Sequence, residues 1–168
     1  MNDVDILKKI EKKVLWLACW MIHNANHIRE NQDGLKVGGH QASSASIVSI
    51  MTALYFNILR PEDRVAVKPH ASPVFHAIQY LSGLQTKEKI ENFRGFGGAQ
   101  SYPSRTKDID DVDISTGSVG LGVAMTSFIS LIQDYIARKK FYNNRQLGRM
   151  IALVGDAELD EGNVYECL

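Results

Sequence analysis

Apolar residues recur at helical spacing over most of the chain and give way to short continuous runs in two places. From Asp3 to about Glu30, Ile6, Ile10, Val14, Leu17 and Met21 fall three or four residues apart, with Trp16, Cys19 and Trp20 widening the stripe. This predicts a long helix too apolar on one side to stand alone, ended by the turn residues Asn31-Gln32-Asp33-Gly34. Ile47, Ile50, Met51, Leu54, Tyr55 and Ile58 predict a second helix, N-capped by Ser43 or Ser44. Pro73 suits the first position of a helix to about Leu81, and Thr86 caps a short charged helix to Phe93. Met125, Phe128, Ile129, Ile132 and Ile136 predict the inner face of a long helix ending near Lys139. The runs Arg64 to Lys68 and Ile151 to Val154 read instead as strands, the second buried on both faces as in a parallel sheet. The expected fold is α/β, a parallel sheet with helices on both faces. An N-terminal helix over 1–34 is expected to form one structural unit with 35–168.

Composition narrows the function classes. At 168 residues the chain suits one domain and buries roughly 70% of its unfolded surface. Lys+Arg and Asp+Glu both number 19, for a formal net charge of +0, so no broad field draws it to nucleic acid or an anionic membrane. Two cysteines make no disulfide framework, which points to a reducing, cytoplasmic setting. The apolar run from Val14 to Ile22 is too short to span a bilayer.

The chemistry gathers at glycines and histidines. In Gly155-Asp156-Ala157-Glu158-Leu159-Asp160-Glu161, a glycine breaks the strand and sets Asp156 at its carboxyl edge, where α/β sheets bind ligands. A carboxylate there is a natural magnesium ligand, while the structural alternative is that Asp156 or Asp160 caps the next helix. An EF-hand is excluded, because its sixth position would be Glu161 rather than glycine and its twelfth Cys167 rather than glutamate. His40 follows Gly38-Gly39 and precedes a helix, and His70 follows a strand and precedes another, so both are expected on the ligand-binding edge. The glycines of Thr116-Gly117-Ser118-Val119-Gly120-Leu121-Gly122 lack the Rossmann order and either allow tight helix packing or line a cofactor. His23 and His27, one turn apart, have no HExxH glutamate and are expected to be a polar face. His76 is expected to be packing, and Asp108, Asp110, Asp111 and Asp113 the solvated surface of a functional loop over 94–113.

Taken together, Gly39-His40-Gln41-Ala42-Ser43, Pro69-His70-Ala71-Ser72-Pro73, Thr116 to Gly122 and Gly155 to Glu161 stand in the order found in the thiamine-diphosphate-dependent enzymes. With Asn92-Phe93-Arg94 and Ser101-Tyr102-Pro103, the chain resembles the diphosphate-binding domain of transketolase and, more closely, the N-terminal part of the homodimeric pyruvate dehydrogenase E1 component. The resemblance implies thiamine diphosphate and Mg2+ as cofactors, with Asp156 as a metal ligand and Gly155, Ala157 and Glu158 beside the diphosphate. It implies Ser118, Val119 and Gly120 against the aminopyrimidine, and His40 and His70 facing the diphosphate and the reacting centre. The implied activity is decarboxylation of a 2-keto acid, pyruvate first, with acyl transfer to a lipoyl-bearing E2. The alternatives are two-carbon ketol transfer between sugar phosphates and a non-catalytic interaction module using the N-terminal helix. Ala157 stands where the resemblance has a glycine. The second asparagine metal ligand and the pyrimidine-binding domain with its activating glutamate lie beyond Leu168. The expectation is therefore a domain truncated on its C-terminal side, inactive alone, working as a homodimer or with a chain that carries the missing domain.

Overall fold

In the computed structural model, which describes residues 3–30, 34–141 and 146–168, the first apolar stripe forms helix α1, Asp3–His23. Asp3 and Asp5 lie in its first turn, where acids complement the helix dipole. The predicted helix runs on only as a π-helical turn, Asn24–Ile28, before the backbone becomes extended at Arg29. Three of the predicted turn residues, Asn31, Gln32 and Asp33, lie outside the described residues, as do residues 142–145 of the connector before the last strand.

α1 belongs to the first of two compact units, Met1–Leu59 with His70–Val112. Here the second predicted helix is divided into α2 (Gln41–Ala45), α3 (Val48–Ala53) and a π-helical turn, Leu54–Ile58. His40, not Ser43 or Ser44, holds the N-cap position of α2, and its side chain makes no capping bond. The serines fall inside the helix because it begins at Gln41. α4 (Ser72–Leu81) is nearly all buried and packs against α1. α5 (Lys87–Glu91) starts as predicted, Thr86 Oγ1 accepting from Lys89 N at 3.3 Å. Val14, Met21, Ile22, Met51, Val74, Phe75, Ile78 and Phe93 form the core, each large side chain contributing roughly 1.5–3 kcal/mol by leaving water.

The second unit is Arg60–Pro69 with Asp113–Leu168. Strands β1 (Arg64–Ala66) and β2 (Met150–Ala152) pair in parallel, Val65 opposite Ile151. Ala66 also bridges Ile114 in parallel, so three segments run side by side in one direction. Helix α6 (Leu121–Arg138) packs on both strands, and α7 (Gly162–Cys167) packs on α6. Gly122 faces β1, where a methyl would sit in ordinary contact, 3.4 Å from Ala66 Cβ. The expected α/β class is what forms, with strands shorter than predicted. The apolar face of α6 departs from expectation: Thr126 alone is buried, Ile129 and Ile136 are half-buried, and Met125, Phe128 and Ile132 are exposed. A helix apolar on several sides needs more than one neighbouring layer, and here the strands and α7 cover only part of it. No helix among the described residues is long and apolar enough to cross a membrane.

Candidate functional site

Parallel strands leave their sheet on the same side, so in the second unit three carboxyl ends converge. They carry Val67-Lys68 after β1, Ser115 to Gly120 after the Ile114 bridge, and Val154-Gly155-Asp156 after β2. This edge is the ligand-binding side of an open α/β sheet. The turn after β2 is closed by Glu158, whose Oε2 accepts from Gly155 N at 2.7 Å. Asp156 opens the 3-10 turn Ala157–Asp160 but makes no capping hydrogen bond, and its carboxylate is exposed. The capping alternative is thus not realised by Asp156. It is left as an accessible hard-oxygen donor, the type that magnesium takes. Ala157 is not among the residues with left-handed backbone, so alanine in place of glycine adds no backbone strain.

The segment leading into α6 is shaped differently. Val119 and Gly120 are both left-handed, with φ of 63° and 76°. For a β-branched residue that conformation is an outlier, and outliers of this kind gather at functional sites. Asn163 Nδ2 donates to Val119 O at 2.9 Å and holds the turn. A methyl on Gly120 would lie 2.8 Å from Val164 Cγ2, so this glycine is demanded by packing against α7 as well as by φ. Ser118 beside it is half-buried and Val119 exposed.

One residue of this edge escaped the sequence reading. Lys68 is half-buried at the end of β1, and its Nζ lies 3.3 Å from where a methyl on Gly155 would be. Its partner turn is 87 positions away in sequence; the only local signal was a lysine between a strand end and the Pro69-His70 turn.

His40 and His70 belong to the first unit, and both are exposed. The turn that bears His40 is clamped. Asn26 Oδ1 accepts from Gly38 N at 2.6 Å while its Nδ2 donates to Gly39 O at 3.0 Å, and Arg94 Nη1 donates to Val37 O at 2.7 Å. Gly39 has φ of 86°, and a methyl on it would meet Arg94 Nη1 at 3.3 Å. The close approach that Gly38 permits is used by Ile22 O and Asn26, not by a ligand. Partial burial lowers the Arg94 guanidinium from its ordinary pKa, with Tyr102 opposing.

The acid-rich loop is only partly a solvated surface: Asp111 is exposed and Asp113 half-buried. Asp110 is buried, and Asp108 is half-buried. His76, Asp108 and Asp110 bring ligand atoms within 4.8 Å of one another, a spacing that would suit a metal. Those atoms are already committed. His76 Nδ1 meets Asp110 Oδ2 at 2.6 Å and its Nε2 meets Gln100 O at 2.7 Å. Gln85 Nε2 donates to Asp110 Oδ1, and Asp108 accepts from Gln100 N at 3.0 Å and Ser104 N at 2.8 Å. A carbonyl only accepts, so Nε2 carries hydrogen, and one more proton sits between Nδ1 and Asp110. The cluster is a hydrogen-bonded clamp. His23 and His27, with ring centroids 5.0 Å apart, have no third ligand group among the described residues. A cleft of about 300 Å³ between α1, α4 and α5 is lined by Trp16, Trp20, Tyr80 and Ile90 and contains no predicted site residue.

Residues 37–168 match the family model described as transketolase, thiamine diphosphate binding domain. The chain is 26% identical over 171 residues to the pyruvate dehydrogenase E1 component of Mycolicibacterium smegmatis, covering 95% of this chain and 18% of that protein. It is 25% identical over 169 residues to the Escherichia coli K12 pyruvate dehydrogenase E1 component, with the same coverage. It is 30% identical over 141 residues to transketolase-like protein 2 of Mus musculus, covering 77% of this chain and 21% of that one. The chain therefore spans about a fifth of the length of these relatives.

Proposed function

The chain belongs to the transketolase family of thiamine diphosphate-binding domains, and on that premise we propose that it forms the diphosphate-holding part of an enzyme acting on 2-keto acids. The observation that carries the reading is the accessible, uncapped Asp156 at the meeting of three parallel carboxyl ends. The donor set fits the cofactor: a hard carboxylate for Mg2+, an ammonium at Lys68, and a Gly155 position that a side chain would fill. Bound there, thiamine diphosphate supplies a nucleophilic carbon and an electron sink for cleaving the bond beside a keto carbon.

The chain's own residues divide the remaining work. Asp156 holds the metal that neutralises the diphosphate, with Gly155, Ala157 and Glu158 alongside. Ser118, Val119 and Gly120 present backbone to the aminopyrimidine. His40 and His70, both exposed, orient the substrate and move protons. Similarity along 95% of the chain to proteins named pyruvate dehydrogenase E1 component favours pyruvate as substrate, a lipoyl group on a partner as acyl acceptor, and a two-chain assembly. The transketolase-like relative keeps sugar-phosphate ketol transfer as the second reading. The assay that separates them uses the intact gene product with thiamine diphosphate and Mg2+. Pyruvate-dependent CO2 release with an artificial electron acceptor is expected. Ketol transfer between sugar phosphates without CO2 release would replace the first reading by the second.

A further inference from the structure

We propose that Lys68 is an anion-binding residue of this site, contacting the diphosphate beside the Gly155 turn. The proposal rests on the diphosphate reading above and adds to it a residue that neither the motifs nor the composition assign. Lys68 lies two residues past Ala66, the last residue of β1, and is followed by Pro69. A residue before proline is restricted to extended backbone, so the lysine leaves the strand in a fixed direction. Its aliphatic stem lies over the turn after β2. A methyl placed on Gly155 would be 3.3 Å from Nζ and 3.9 Å from Cδ of Lys68. A bulkier residue at 155 would displace the ammonium, which gives this glycine a role in the site beyond the turn.

The ammonium makes no direct ion pair among the described residues, although Glu158 Oε2 lies near it: a methyl on Gly155 would be 3.4 Å from that oxygen and 3.3 Å from Nζ. Among the described residues no carboxylate lies within 4.0 Å of Lys68 Nζ: the ion pairs of the second unit are Arg64 with Asp113 and Arg149 with Asp63. Glu158 on the turn accepts from Gly155 N at 2.7 Å. A half-buried ammonium with no carboxylate in contact keeps its three donors for a ligand. Lysine binds phosphate as a compact point charge. Asp156 would hold the metal and Lys68 would add a direct positive charge to the same anion.

The test is calorimetric titration of the intact gene product, with Mg2+ present, by thiamine diphosphate and separately by inorganic pyrophosphate. Lys68→Gln is expected to weaken both by roughly tenfold or more, and Lys68→Arg to keep most of the affinity. Circular dichroism and melting temperature of both variants are expected to match the parent, since the Lys68 side chain makes no hydrogen bond or ion pair among the described residues. Thiamine diphosphate binding equally well to Lys68→Gln overturns the role of Lys68 and leaves the cofactor reading standing. Pyrophosphate binding that depends on Lys68, with no affinity for thiamine diphosphate, keeps Lys68 and removes the cofactor. Failure of the parent protein to bind either ligand overturns both.

Discussion

Asp63 is a buried carboxylate surrounded by donors: Arg149 N at 2.8 Å, Arg149 Nε at 3.1 Å and Arg60 N at 3.0 Å. The hydrogen bond from the Arg149 side chain holds its pKa far below the ordinary 3.8, against the opposing effect of burial. The same contact raises Arg149. A carboxyl with a depressed folded pKa stabilises fully above its unfolded value and loses that contribution as pH falls through the folded one. Urea unfolding of the parent should therefore weaken as pH drops below about 4, and Asp63→Asn should be less stable at pH 7 with a shallower loss on that acid limb. Gly120 makes a second residue-scale case. Its φ of 76° and the 2.8 Å approach of Val164 to an added methyl predict that Gly120→Ala costs about 1–3 kcal/mol in chemical denaturation. Asp156 was legible in the sequence because an apolar run and a glycine announce a strand end locally. Lys68 was not, because the turn it faces is distant in sequence.

At the scale of elements, the loop over 94–113 is rigidified from within. The buried His76–Asp110 pair ties it to α4, and Gln85, Gln100 and Ser104 satisfy the remaining acceptors. Removing Asp110 leaves the buried His76 Nδ1 and Gln85 Nε2 without their partner. Asp110→Ala should therefore cost about 1–3 kcal/mol for each group left unpaired in urea unfolding. Zinc or a chelator should leave the melting temperature of the parent unchanged, and a rise with zinc would return the cluster to the metal reading. Helix positions and type were largely visible from apolar spacing, since periodicity is a local property. The breaks into π-helical turns after α1 and α3 were not. The clamp that Asn24, Asn26 and Arg29 form with residues 38–39 and 91–93 depends on partners met only in the fold. The mistaken inner face of α6 has the same origin: periodicity marks which residues are apolar, not how many layers cover them.

For the molecule as a whole, the segments that resemble the family divide between two units, His40 and His70 in one and Ser118 to Gly120 with Gly155 to Glu158 in the other. The family was legible because the motifs carry side chains whose chemistry is specific in combination: a strand-end aspartate, paired glycines and histidines at turns. The internal clamps were not, because they are made of common residues in uncommon proximity. The central claim is that the edge bearing Asp156 is a magnesium–diphosphate site. It is tested most directly by titrating the intact gene product with thiamine diphosphate, with and without Mg2+, alongside Asp156→Ala. Saturable binding that requires Mg2+ and weakens by about a hundredfold in the variant is the predicted result. Binding that is indifferent to Mg2+ and to Asp156, or no binding at all, would contradict it.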